Sequence, residues 1–325
     1  MGKIYKIEIS AKTIVFTVLF LLFLNLLWLV RELIFSFFIA FVIMSALNPL
    51  VSYLQKKKIP RPISTLVSFI AIFSLIGYLF LWLVPPIAKE ITLLFKSLPK
   101  IIESFLPNSS SLLDNELFTK NLPNITNNAF QFLRNLLSNL IFTISTIFFS
   151  FYFLVEENTI RNFFIRFFNK EDAYKPLNAI DRTEKRLRSW FWGELFLMLI
   201  IGILTFIGLT LLNVKYALAL ALIAGLLEIV PILGPVISTI PAFIIAFSES
   251  TFSGVAVIAL FFVIQQVENQ VIVPIIMKKA VGLNPIVTLT ALIIGGRIGG
   301  ILGLLLAIPV TLIIESVIVE YINSK

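Results

Sequence analysis

Three apolar runs follow one another at the start of the chain, at residues 13–30, 33–54 and 63–84. They are separated only by Arg31-Glu32 and by the basic loop Lys56-Lys57-Lys58-Ile59-Pro60-Arg61-Pro62. A hydrocarbon core takes roughly 20 apolar residues to cross as a helix. Lipid offers backbone N–H and C=O groups no water, so a crossing segment must satisfy them internally, as a helix does. With 58% hydrophobic and 14% charged residues, the chain also departs from soluble domains, which are about 45–50% apolar and about 25% charged. The expected fold class is all-α: a multi-pass integral membrane protein of about eight membrane segments, two of them broken or re-entrant hairpins.

The net charge of +8 fits basic cytoplasmic loops. The basic residues are spread among apolar segments, which argues against a nucleic-acid partner. Without Cys or His there is no thiol or imidazole chemistry and no expected metal site. No Gly-x-x-x-x-Gly-Lys-Ser/Thr phosphate loop, Gly-x-Ser-x-Gly or His-containing metal motif appears, so no ATP-driven motor or hydrolase and no cofactor is expected.

The order of segments sets a topology. Residues 1–12 are a basic lead with Lys3, Lys6 and Lys12; the run after it is long for a signal peptide and lacks a small-residue cleavage pattern, so it reads as a retained span. Residues 1–86 hold the N-terminal spans, with the third ending at Pro85-Pro86. The density of lysine places 56–62, and with it the N-terminus, in the cytoplasm. Residues 87–135 form an extracytoplasmic segment whose Ile87, Ile91, Leu94, Leu98, Ile101 and Phe105 recur at helical spacing. Pro99 is expected to kink this helix. The stripe calls for an apolar partner, either a second copy of the chain or the lipid surface. Residues 136–155 are a fourth span. In the cytoplasmic segment 156–189, an interfacial stretch rich in Phe and Arg precedes a solvated charged helix at 181–188. Residues 190–325 form the candidate transport core, entered at Trp190 and Trp192 in the manner of an aromatic belt. Glu194 then falls in the first turn of a span, an interfacial position.

Within that core, residues 216–248 are apolar but broken by Glu228, Pro231, Gly234 and Pro235. Proline lacks an N–H and clashes with the preceding turn. A break in lipid is tolerated only where protein or a water-filled cavity serves the freed backbone. The next span, 252–274, ends in Gln265-Gln266-Val267-Glu268-Asn269-Gln270, and Gln265, Glu268 and Asn269 share one helix face. A second break follows at Gly295-Gly296-Arg297-Ile298-Gly299-Gly300. The arm 286–294 before it is too short to cross at about 1.5 Å per residue, which favours a re-entrant hairpin. The two stretches echo each other: Leu233-Gly234 precedes Pro241 much as Leu302-Gly303 precedes Pro309. Paired interruptions of this kind point to a shared solute site near the midplane. The expected pathway comprises Glu228, Pro231, Gly234, Pro235, Gln265, Glu268, Asn269, Gly295, Gly296, Arg297, Gly299, Gly303 and Pro309. Glu228 and Glu268 would exchange protons or cations there. Arg297 would neutralise an acid, meet an anionic solute or snorkel to headgroups.

These residues also carry a resemblance. Glu228-x-x-Pro231-x-x-Gly234-Pro235, Glu268-Asn269 with Pro274, Val281-Gly282-Leu283-Asn284-Pro285, and Gly295-Gly296…Gly299…Gly303…Ala307-Ile308-Pro309 together resemble the autoinducer-2 exporter family of bacterial inner-membrane permeases. The resemblance implies a bacterial inner-membrane protein with both termini cytoplasmic. For activity it implies export of a small polar solute such as autoinducer-2, or sodium(lithium)/proton antiport. Where other members commonly carry His before the proline, this chain has Asn284, so no imidazole role carries over. The resulting expectation is a secondary transporter, with protons or sodium as coupling ions. An oligomeric channel-like or scaffold protein is the alternative.

Overall fold

The structure is a computed structural model and describes residues 11–105, 140–156, 174–231, 233–277 and 282–323. The described residues are helical apart from short joints and contain no strand. In chain order the helices are α1 (Ala11–Leu29), α2 (Arg31–Lys56), α3 (Arg61–Phe105), α4 (Leu140–Val155), α5 (Tyr174–Leu211), α6 (Ala217–Leu227), α7 (Leu233–Glu249), α8 (Thr251–Val267), a π-helical turn Glu268–Ile272, α9 (Val273–Met277) and α10 (Pro285–Asn323). Six helical stretches are long and apolar enough to cross a membrane; the shorter apolar helices are Ile141–Val155, Ala217–Leu227 and Leu233–Glu249. The protein is an all-α, multi-pass membrane protein.

Helix α1 is apolar and exposed along its length. A single residue, Val30, joins it to α2. The loop expected at Arg31-Glu32 is absent, because both residues already belong to α2. Helix α2 presents small and polar residues, among them Ser36, Ala40, Ser45 and Asn48, to its neighbours. Against it lies α4, where Thr146 Oγ1 donates to Ser36 Oγ at 2.8 Å and the Phe37 ring meets Phe153 edge-on. Arg61, at the start of α3, ties three helices together. Its Nε donates to the Leu154 carbonyl at 2.7 Å and its Nη2 to Asn48 Oδ1 at 3.2 Å.

Two helices run further than expected. Helix α3 does not end at Pro85-Pro86 but continues to Phe105, 45 residues in all. Each proline removes one helical bond at a cost of about 3 kcal/mol, but ending a helix in lipid would strand several backbone groups at once. At about 1.5 Å per residue the helix is roughly twice the hydrocarbon thickness, so its second half must leave the core. The side chains of the Ile87–Phe105 stripe, and that of Pro99, lie outside the described residues, as do residues 106–139 and the expected interfacial stretch at 157–173.

Helix α5 is likewise continuous over 38 residues, so the boundary at 189/190 falls inside one helix. Its charged half is solvated on one face, where Asp181, Arg182 and Lys185 are exposed, and packed on the other. Thr183 and Leu187 are buried, and Glu184 accepts from Asn48 Nδ2 at 2.6 Å and from Arg188 at 2.7 Å. Arg186 pairs with Glu315 at 2.6 Å, which takes Glu315 out of any pathway. The charges knit α5 to α2 and α10.

The core's two helical hairpins are built alike. In the first, α6 has 11 residues and α7 has 17, about 16 and 25 Å at the helical rise. Both fall short of a hydrocarbon core of roughly 30 Å. In the second, α10 is two helices folded at Gly300, whose φ of 57° and ψ of −133° are non-helical. The arm from 285 to 299 is also too short to span. Close to the bend Gly295 and Gly303 touch backbone to backbone, and a Cβ on either would overlap the other's carbonyl oxygen. Gly234 takes the same place in the first hairpin, against the Leu227 carbonyl. The sequence echo thus marks the first turn of each returning arm.

Candidate functional site

The interruption in the first hairpin lies at 228–232. Pro235 does not break the chain; it sits in the first turn of α7, where its missing N–H has no helical partner to lose. Helix α6 runs antiparallel to α5 and approaches it at glycine: a Cβ at Gly225 would lie 2.7 Å from the Met198 carbonyl oxygen and 3.2 Å from Gly202 Cα. In an antiparallel pair, one turn forward on one helix faces one turn back on the other. One turn beyond Gly225 is Glu228, and one turn before Met198 is Glu194. The close approach therefore delivers these two carboxyls to the same place, and both are buried, 2% and 5% exposed.

The third carboxyl comes from the span that closes the group. Between Thr251 and Ile276 the helix widens into a π turn that begins at Glu268. Such turns insert one residue into the helical ladder and are frequent at functional sites. Here the turn buries Glu268, which is 6% exposed, while Asn269 is exposed and lines the cavity beside it. Gln265 Nε2 donates to Glu268 Oε2 at 3.1 Å. Glu228 and Glu268 are in hydrogen-bond contact, carboxyl to carboxyl. Such a contact requires one of the two to carry a proton. Glu194 interacts electrostatically with both.

Around these groups lies a cavity of about 580 Å³, within the range of small-molecule sites. Trp190, Glu194 and Leu197 of α5 line it, with Glu228, Pro231, Gln265, Glu268 and Asn269, and Gly282, Leu283, Pro285 and Thr288 at the base of the second hairpin. Oε1 of Glu194 and Oε2 of Glu228 meet no hydrogen-bond donor among the described residues other than a neighbouring carboxyl. The Trp190 indole N–H lies beside Glu194 without closing a hydrogen bond. No group of three or more acidic residues among the described residues is close enough to hold a metal ion.

The structure thus brings together Glu228, Pro231, Gln265, Glu268 and Asn269 from the expected set. The remaining members lie elsewhere. Gly234 is packed into the turn of the first hairpin. Gly295 and Gly303 line a separate apolar cavity of about 490 Å³ with Phe35 of α2. Gly296 packs on Leu304, and Gly299 on the Phe35 ring. Arg297 is exposed and does not line the acidic cavity, so it neutralises none of these acids by contact. Pro309 lies within α10; its neighbour Ile308 reaches the cavity.

Two cavity residues escaped the sequence reading. Glu194, expected at an interface, is buried against protein at 5% exposure, and Trp190, expected in an aromatic belt, is buried at 6%. The helix that carries them starts at Tyr174, and both lie near the start of its apolar half. The signal was present in the helix-compatible run from 177 to 211, which holds no Pro and has Gly193 alone near the junction of its charged and apolar halves, Gly202 and Gly208 falling inside the apolar half.

A polytopic helical protein with two interrupted hairpins that both contribute to one cavity holding buried carboxyls has the build of a membrane transporter. The chain belongs to the AI-2E transporter family: residues 17–323 match the family model described as AI-2E family transporter. Among curated relatives, "Putative transport protein YueF" of Bacillus subtilis is 28% identical over 313 residues, covering 88% of this chain and 84% of the relative. YrrI of the same organism, named in the same terms, is 25% identical over 323 residues, with 92% and 89% covered. YhhT of Escherichia coli, again so named, is 26% identical over 296 residues, with 87% and 82% covered.

Proposed function

We propose that the protein is a secondary transporter whose 190–325 region moves a small polar solute through the acidic cavity, outward across a bacterial inner membrane. Proton exchange at Glu228 and Glu268 couples the movement to the pH gradient. The observation that carries this reading is the carboxyl–carboxyl contact of Glu228 with Glu268 inside a solute-sized cavity. Two carboxyls in contact hold one proton in common and release or gain it when a solute enters between them. Each hairpin has at least one arm too short to span, so small movements of that arm would open the cavity to one side or the other.

Reconstituted vesicles test the reading. A panel of small polar solutes is screened for flux with and without an imposed pH gradient, and sodium replaces protons in a parallel series. Gradient-driven flux that disappears in Glu268→Gln, with the variant's chromatographic profile unchanged, is the expected result. Gradient-independent conductance, equal in wild type and Glu268→Gln, would overturn it in favour of a channel.

A further inference from the structure

We infer that the cavity takes a small organic amine in its protonated, cationic form, held among the carboxyls of Glu194, Glu228 and Glu268 beside the Trp190 indole. The inference rests on the transport reading for its physiological setting but on separate observations for its chemistry.

Three carboxyls from three elements converge here, each at least nine-tenths buried. No lysine or arginine among the described residues lines the cavity. Carboxyls this deeply buried stay neutral by holding protons unless a positive charge joins them. A cation entering the cavity can take the protons' place, which neither an anionic nor a neutral solute can do. Independently of the charge count, Glu194 Oε1 and Glu228 Oε2 are buried acceptors without an N–H or hydroxyl donor. A buried acceptor left unpaired is costly, and an ammonium group supplies N–H donors and positive charge together.

Size and lining narrow the class further. The acids do not converge into a metal-ligand cluster, and about 580 Å³ is far more than a bare ion needs. The rest of the lining is largely apolar, with Leu197, Val236, Val273 and Ile308, which suits the hydrocarbon body of an amine. Trp190 adds an aromatic surface, the side chain that attracts cations best.

Calorimetric titration of the purified protein tests the inference, with benzylamine and butylamine as probes and benzyl alcohol as the neutral counterpart. Repeating the titration in buffers of different ionisation enthalpy counts protons released. Both amines should bind saturably with proton release, and benzyl alcohol should not. Glu194→Gln, nearly isosteric, should weaken amine binding about 10-fold or more, the worth of a charge-assisted hydrogen bond. Trp190→Leu should weaken it by about 10-fold and Trp190→Phe by much less, because the ring is retained. Equal binding of benzyl alcohol, or no saturable binding of either amine, overturns the inference. If amines fail to bind while pH-driven solute flux still depends on Glu268, the cation assignment is wrong and the transport reading stands. If amines bind and release protons but no gradient drives their accumulation in vesicles, the site stands and the transport reading falls.

Discussion

Gly225 is the contact on which the site's geometry turns. A Cβ there would lie 2.7 Å from the Met198 carbonyl oxygen, whereas ordinary contact begins at 3.4 Å. The opposing atoms are backbone, of Met198 and Gly202, so no rotamer change can relieve the overlap. Helices α5 and α6 would have to separate by about 0.7 Å. Overpacking of this kind costs about 1–3 kcal/mol. In Gly225→Ala part of that is offset by the better helix propensity of alanine, worth about 1 kcal/mol. Gly225→Val is therefore the sharper probe, since its two further methyl groups enlarge the clash and its propensity gain is smaller. A net loss of about 2 kcal/mol would lower Tm by roughly 3 °C in a chain of 325 residues. The same separation would move Glu228 away from Glu194, so gradient-driven flux should fall together with Tm. Gly77→Val is the matched control, because a Cβ at Gly77 on α3 meets nothing within 4 Å. Thermal unfolding followed by intrinsic fluorescence in detergent reads the first effect, and vesicle flux the second. If Gly225→Val melts with wild type, at or above the control, α5 and α6 do not meet at this glycine, and the derivation of the Glu194–Glu228 pair fails.

Two further outcomes follow from the packing. Asn48 is 7% exposed and bridges Glu184 to Arg61, so Asn48→Ala should lose about 1–3 kcal/mol and Asn48→Asp more, by placing a second negative charge beside Glu184; an Asp variant as stable as wild type by thermal unfolding would show that the bridge contributes little. The chain has no cysteine, so single-cysteine labelling of intact cells is clean. Lys57→Cys should react only from the cytoplasmic side and Ser250→Cys, at the α7–α8 joint, only from outside; the reverse pattern would invert the topology.

What the sequence showed on its own was local. Apolar runs of membrane length predict helices because lipid leaves the backbone no other partner. Pro231 marks the first interruption and the glycines near 300 the second, because proline lacks an N–H and Gly300 alone tolerates a positive φ there. Glu228 and Glu268 stood out because a carboxylate is expensive in an apolar setting, whatever it faces. The re-entrant length of both hairpins could be counted in residues.

The tertiary structure decided everything that depends on which surfaces meet. Prolines at 85 and 86 looked like a helix end, but in lipid a bend costs less than a break. Glu194 reads from the sequence as a lone acid near a span's start, and only the close approach at Gly225 buries it opposite Glu228. The glycines from Gly295 to Gly303 looked like part of the pathway, yet they close the second hairpin on itself and against Phe35. Arg297 is left outside the acidic cavity. Breaks are written in single residues, because they depend on the backbone chemistry of one position. A site made by three helices depends on contacts between residues as far apart as Trp190 and Ile308, and no local pattern encodes which face of one helix another will cover.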